Sequence, residues 1–200
     1  MTHNLTSVFS GKEYLLNSLH ESHRIVQSVV KQGDTVVDAT MGNGNDTAFL
    51  AELVGAQGKV FSFDIQLIAV QRTRRLLEEK GLLRRVVLLN DGHENMDRYV
   101  PEHHASAVMF NLGYLPKCDH SISTKPDTTI KAIEKSLNII KTNGIVSIVV
   151  YYGGDSGFEE KEKVISFVNA LDNKKYTVMK REFINQPNCP PILICIEKIK

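Results

Sequence analysis

The sequence predicts an α/β fold: a mostly parallel sheet of seven strands, helices on both faces, and a C-terminal antiparallel hairpin. Three observations predict it. Short apolar runs alternate with longer stretches of helical periodicity, the pattern of a parallel sheet covered on both sides. Glycines close the helical stretches, at Gly55, Gly81 and Gly144. The last two apolar runs follow one another with no helix between them, so the final strand must return antiparallel.

The elements follow in order. Residues 12–31, "KEYLLNSLHESHRIVQSVVK", carry Leu15, Leu16, Leu19, Ile25, Val26, Val29 and Val30 near helical spacing. "TVVDA" (35–39) reads as a strand and "DTAFLAELV" (46–54) as a helix stopped by Gly55. "KVFSFDI" (59–65) is the second strand, followed by the helix "LIAVQRTRRLLEEK", and "RVVLLN" (85–90) is the third strand. "SAVMFN" (106–111) is the fourth, then a loop and the helix around "TTIKAIEKSLNIIK", which Gly144 ends before the strand "IVSIVVYY" (145–152). The helix "FEEKEKVISFVNAL" precedes two closing strands, "KYTVMKREFI" and "PILICIEKI", joined by "NQPNCPP".

Composition narrows the class. Two hundred residues, 42% of them hydrophobic, suffice for one domain spanning 1–200 with its own core. No apolar run reaches about 18 residues, so a membrane span is not expected, and the N-terminus lacks the pattern of a signal peptide. Three scattered cysteines suit a reducing cytoplasm rather than a disulfide scaffold. With a formal net charge of +1 the chain is no polycation, so any nucleic acid must meet a local patch. Arg72, Arg74, Arg75, Lys80, Arg84 and Arg85 could supply one, or simply form a solvated helix face.

The stretch "DATMGNGNDT" (38–47) lies between a strand and a helix, the setting a nucleotide site requires. Gly42 and Gly44 let the backbone approach a ligand. A dinucleotide would rest its pyrophosphate on the helix N-terminus. Thr47 replaces the third glycine of the dinucleotide-binding pattern G-x-G-x-x-G, and Asp46, read as an acidic N-cap, would repel a phosphate. Asp38 and Asp46 better suit S-adenosylmethionine, which has no phosphate and carries a positive sulfonium. Asp64, at the end of the next strand, is spaced to grip a ribose diol. The bland alternative is an N-cap and a turn. At the third strand end, "NDGH" would bring Asp91 and His93 near the adenine, unless His93 is an ordinary surface histidine.

The acceptor side follows from "MFNLGYLP" (109–116), which resembles the Asn-Pro-Pro-Tyr motif of methyltransferases acting on amino groups. The Asn111 carbonyl can accept hydrogen bonds from an amine, aiming its lone pair at the sulfonium methyl. Tyr114 could stack on a base. In the long polar loop that follows, Asp119 could hold or deprotonate a cationic amine, or be a surface salt-bridge partner. Cys118 has no evident base beside it, which argues against nucleophilic cysteine chemistry. Cys189 and Cys195 show no metal-ligand pattern and read as structural thiols; no metal is expected. "YYGGDSG" would place Tyr151 and Tyr152 at the same rim.

Taken together, "VVDATMGNGNDTAFLAELVG", "VFSFDIQ", "FNLGYLP" with "SISTKPDTT", and "YYGG" before "FEEKEKV" resemble a family long labelled rRNA methylases. That family is now associated with methylation of 5-aminomethyl-2-thiouridine at the tRNA wobble position. The resemblance covers nearly the whole chain and implies the Rossmann-like class I methyltransferase fold. It implies S-adenosylmethionine as donor and a tRNA anticodon arm as partner, with a homodimer left open. Cofactor contacts carried over residue by residue are Gly42, Asn43, Gly44, Asn45, Asp64, Gln66, Asp91 and His93, with Asp38, Asp46 and Thr47 from the same turn. Asn111, Gly113, Tyr114 and Tyr151 form the acceptor side, and His23 lines the mouth. Methylation of an rRNA base amine, a small-molecule or protein amine acceptor, and a non-catalytic binding module stay as alternatives. An NAD-dependent dehydrogenase is disfavoured by Asp46 and Thr47.

Overall fold

The computed structural model describes residues 15, 17–113, 124–153 and 157–200. Seven strands form one sheet in the order β3-β2-β1-β4-β5-β7-β6. They are β1 (Thr35–Asp38), β2 (Lys59–Phe63), β3 (Val86–Leu89), β4 (Ala105–Leu112), β5 (Ile140–Val150), β6 (Tyr176–Arg181) and β7 (Ile192–Lys198). The first five pair parallel; β7 runs antiparallel to both β5 and β6. The chain winds outward from β1 in both directions, so a crevice opens at the carboxyl ends of β1 and β4.

Helices cover both faces because strand side chains alternate between them. On one face Val36, Val60, Met109 and Leu193 pack against α1 (Ser18–Val29), α2 (Asn45–Val54) and α3 (Leu67–Glu79). On the other, Val37, Phe63, Phe110 and Ile148 pack against α4 (Pro126–Ile139) and α5 (Gly157–Asn169). Fully burying each such side chain contributes about 1.5–3 kcal/mol. Among the described residues no helix is long and apolar enough to cross a membrane.

Three boundaries differ from the sequence reading. α1 begins at Ser18, inside the 12–31 stretch, because the Asn17 side chain accepts from His20 N (2.9 Å) and caps the helix there. Gly144 does not end α4. That helix stops at Ile139, and β5 starts at once with a bulge in which the pairing to β4 jumps from Ala105↔Ile140 to Ala107↔Ile145. α2 is preceded by Gly44 in the left-handed conformation rather than by an acidic cap.

Candidate active site

A cavity of about 890 Å³ fills the crevice, within the range of small-molecule sites. Its floor is the turn after β1. Gly42 and Gly44 take positive φ (+53° and +82°), which lets the chain fold tightly from Met41 into α2. The Gly42 N–H donates to Asp64 Oδ2 (2.9 Å), joining the turn to the end of β2.

Asp38 and Thr47 lie beneath that turn, not in the cavity wall. Asp38 is fully buried and accepts from Thr40 N (3.1 Å) and Thr47 Oγ1 (2.6 Å). Thr47 Oγ1 also meets Ser62 Oγ at 2.7 Å, which ties β1, α2 and β2 together. Gly44 likewise lies outside the wall and packs on Thr73. Burial, reinforced by the nearby Asp46 charge, pushes the Asp38 carboxyl up to about 7.

Asp64, Gln66, Asp91, His93, Asn43 and Asn45 all line the cavity. Asp64 accepts one backbone N–H on each oxygen, from Gln66 (2.8 Å) and Gly42, leaving a second lone pair on each. Burial raises its pKa against the pull of those donors. Asp91 is held below the usual carboxylate range: against desolvation, Asn95 Nδ2, Tyr99 OH and Gly92 N all donate to it. His93 is not a surface histidine. It is buried with Nδ1 3.2 Å from the Ala39 carbonyl, which can only accept, so Nδ1 carries the proton. Burial lowers its pKa and favours the neutral ring.

On the acceptor side, the backbone N–H of Asn111 donates to Thr40 Oγ1 (2.7 Å), fixing β4 against the turn after β1. The Asn111 side-chain Nδ2 donates to Asp46 Oδ2, and Asp46 Oδ1 meets His23 Nε2 at 2.7 Å. A carboxylate only accepts, so this contact assigns the amide group, with Nδ2 as the atom that meets Asp46. Asn111 Oδ1 is buried with no hydrogen-bond partner among the described residues. His23 itself sits behind Asp46, stacked on Phe49 at 4.0 Å, outside the wall. Gly113 and Tyr151 both line the cavity and touch closely: a Cβ on Gly113 would stand 3.3 Å from that of Tyr151. Tyr114, Cys118 and Asp119 lie outside the described residues.

Two contributions were missed in the sequence. Thr124 pairs backbone to backbone with Gly113 and hands its hydroxyl to Glu160 (2.7 Å), a buried carboxyl that also takes Thr129 Oγ1. The segment 188–191 enters the wall from the β6–β7 connection, with Asn188 and Cys189 both at positive φ. Cys189 is therefore exposed at the cavity, whereas Cys195 is buried in β7 and its thiol is pushed up to about 11 by burial. Consecutive non-glycine residues at positive φ carry no sequence signal beyond the asparagine.

The wall carries Asp46, Asp64, Asp91 and Glu94 against one lysine, Lys125, among the described residues. Such a cavity repels phosphates and attracts a cation. This donor set fits S-adenosylmethionine, whose ribose needs a carboxylate acceptor and whose sulfonium needs a negative field.

Comparison with known proteins agrees. Residues 60–197 match the family described as "Putative rRNA methylase". The tRNA (mnm(5)s(2)U34)-methyltransferase of the Arabidopsis thaliana chloroplast is 37% identical over 186 residues, spanning 88% of this chain and 68% of that protein. The solved structure of a "putative rRNA-methylase" from Clostridium thermocellum is 58% identical, with TM-score 0.92, covering 94% of this chain and 100% of that one. A Streptococcus mutans structure described as a methyltransferase in complex with SAH is 42% identical, TM-score 0.85, covering 92% and 99%. Fold, cavity and these likenesses define a class I methyltransferase that uses S-adenosylmethionine. Within that class, the chain belongs to the rRNA methylase family matched by residues 60–197.

Proposed function

We propose that the chain methylates the primary amine of 5-aminomethyl-2-thiouridine at the wobble position of tRNA, giving 5-methylaminomethyl-2-thiouridine. The observation that carries this reading is the orphaned Asn111 carbonyl. A buried acceptor without a donor costs about 1–3 kcal/mol, and an amine N–H removes that cost on binding. The name of the Arabidopsis relative supports the substrate.

Asp64, Gln66, Asp91, His93, Asn43 and Asn45, with the Gly42 backbone, would hold the donor. When bound, S-adenosylmethionine supplies an electrophilic methyl group on a sulfonium. The chain's own part is placement. Asp46 fixes the Asn111 amide, Asn111 Oδ1 orients the amine, and the partly exposed Tyr151 ring offers a face for a base. Burial and the Asp46 charge raise the Tyr151 phenol, so it stays neutral at physiological pH. The nitrogen must lose a proton before it can attack; Asp119 is one candidate for receiving it. The reaction is read as cytoplasmic.

The test is transfer of labelled methyl from S-adenosylmethionine to tRNA and, separately, to rRNA, both from cells lacking the gene, with nucleosides resolved by mass spectrometry. Label on aminomethyl-thiouridine is the expected result. Label in rRNA alone would refute it and favour a base amine in rRNA, as the family description has it.

A further inference from the structure

We propose that Asp46 is the carboxylate that binds the substrate ammonium and takes its proton. The assignment rests on the amine reading above. Asp46 lines the cavity beside Asn111, and its oxygens are held by two side chains, Asn111 Nδ2 and His23 Nε2 (2.7 Å). An ammonium that donates one N–H to Asn111 Oδ1 therefore has a carboxylate bonded to the same amide.

Asp64, Asp91, Asp38 and Glu160, the other hydrogen-bonded acids near the crevice, are committed elsewhere. Asp64 is clamped by two backbone N–H groups, and Asp91 by three donors. Both stand at the ends of β2 and β3, away from Asn111 on β4. Asp38 is sealed beneath the turn, and Glu160 is occupied by two threonine hydroxyls outside the wall. Asp46, by contrast, is fixed by His23, whose ring is held flat on Phe49.

The ammonium passes H⁺ to the Asp46 carboxylate, leaving a neutral amine and a carboxylic acid. The amine lone pair forms the N–CH₃ bond while the C–S bonding electrons remain on sulfur. The product is a secondary ammonium, and the Asp46 proton leaves to water. The titratable groups that act on Asp46 or respond to it are His23 from α1, Asp38 at the end of β1, and Tyr151 beyond β5.

The experiment compares wild type with Asp46→Asn on an anticodon stem-loop carrying aminomethyl-thiouridine. Asparagine keeps an acceptor for Asn111 and removes the base. At pH 7 the variant is expected to lose about 10²–10⁴-fold in kcat. Above pH 8 the deficit should shrink roughly tenfold per unit, as solvent deprotonates an amine of pKa about 10. Removing the Asp46 charge lowers the Asp38 pKa, so Asp38 does not titrate in that range. A second readout needs no turnover. With S-adenosylhomocysteine present, Asp46→Asn should weaken binding of the aminomethyl stem-loop roughly 10- to 100-fold and leave the hydroxymethyl analogue unchanged. A constant deficit at every pH, no deficit, or equal loss for both stem-loops overturns the assignment alone. A wild-type enzyme inert on the aminomethyl stem-loop overturns the substrate reading and the assignment with it.

Discussion

Replacing Gly44 by alanine tests how tightly the turn is built. An added Cβ would stand 2.7 Å from Thr73 Oγ1, 2.8 Å from Cγ2 and 3.0 Å from Cβ. Thr73 is fully buried on α3, and a β-branched side chain in a helix has few rotamers to escape into. The left-handed φ of +82° adds a second penalty for any residue with a Cβ. That backbone term is about 1–2 kcal/mol and overpacking adds about 1–3, so the loss should be about 2–5 kcal/mol. A double-mutant cycle separates the two by urea denaturation. Thr73→Ala removes Oγ1 and Cγ2, at the expense of the 3.3 Å hydrogen bond to the Gly42 carbonyl. In that background Gly44→Ala should cost only the backbone term and a small residue, a coupling of about 1 kcal/mol or more. Equal costs in both backgrounds would show that Thr73 does not confine the turn, and would refute the packing argument.

Three further outcomes follow from the same geometry. Asn111→Ala should lower kcat about 10²–10³-fold while S-adenosylhomocysteine affinity, read by calorimetry, stays near wild type; a parallel loss of affinity would place Asn111 on the cofactor side. Asp38 has a folded pKa raised from 3.8 to about 7, so the native state binds the proton more tightly and stability falls as pH rises through that window. Asp38→Asn should flatten this decline between about pH 4 and 7 in denaturant titrations, and an unchanged slope would contradict it. Lys198 is buried in β7 and donates to the Leu137 (2.7 Å) and Ile140 (3.0 Å) carbonyls at the end of α4. Lys198→Met should therefore cost about 2–3 kcal/mol, the usual worth of charge-assisted bonds to orphaned carbonyls; a neutral result in urea melts would refute the capping role.

The alternation of strand and helix made the architecture readable, because a parallel sheet with two covered faces leaves a periodic trace in every segment. The antiparallel ending was legible for the same reason: no helical pattern separates β6 from β7. What the sequence hid were contacts across long separations. For His93 a surface histidine stays open beside the cofactor reading, because nothing local reveals that the carbonyl of Ala39, 54 residues earlier, accepts from its ring. Asp46 looked like an N-cap, since an acid before an apolar run usually is one. Gly44 holds that place instead, and Asp46 turns to two residues from other elements. The wall segment 188–191 was invisible because β7 returns to the middle of the sheet, carrying its preceding loop over the crevice.

Four aspartates near this crevice share one side chain and diverge in use because their donors differ. Asp38, sealed under the turn, is the acid that burial holds protonated longest. Asp64 and Asp91 are clamped in place, and Asp91 is kept well ionised by three donors. Backbone N–H groups cannot rotate away, so Asp64 suits a static task such as holding a ribose. Asp46 is bound by side chains alone, one of them the amide that would meet the substrate. An amine docked on that amide would be linked to Asp46 through it, whereas Asp64 and Asp91 stand at the ends of β2 and β3. On the proposal above, that shared amide is what couples Asp46 to the substrate.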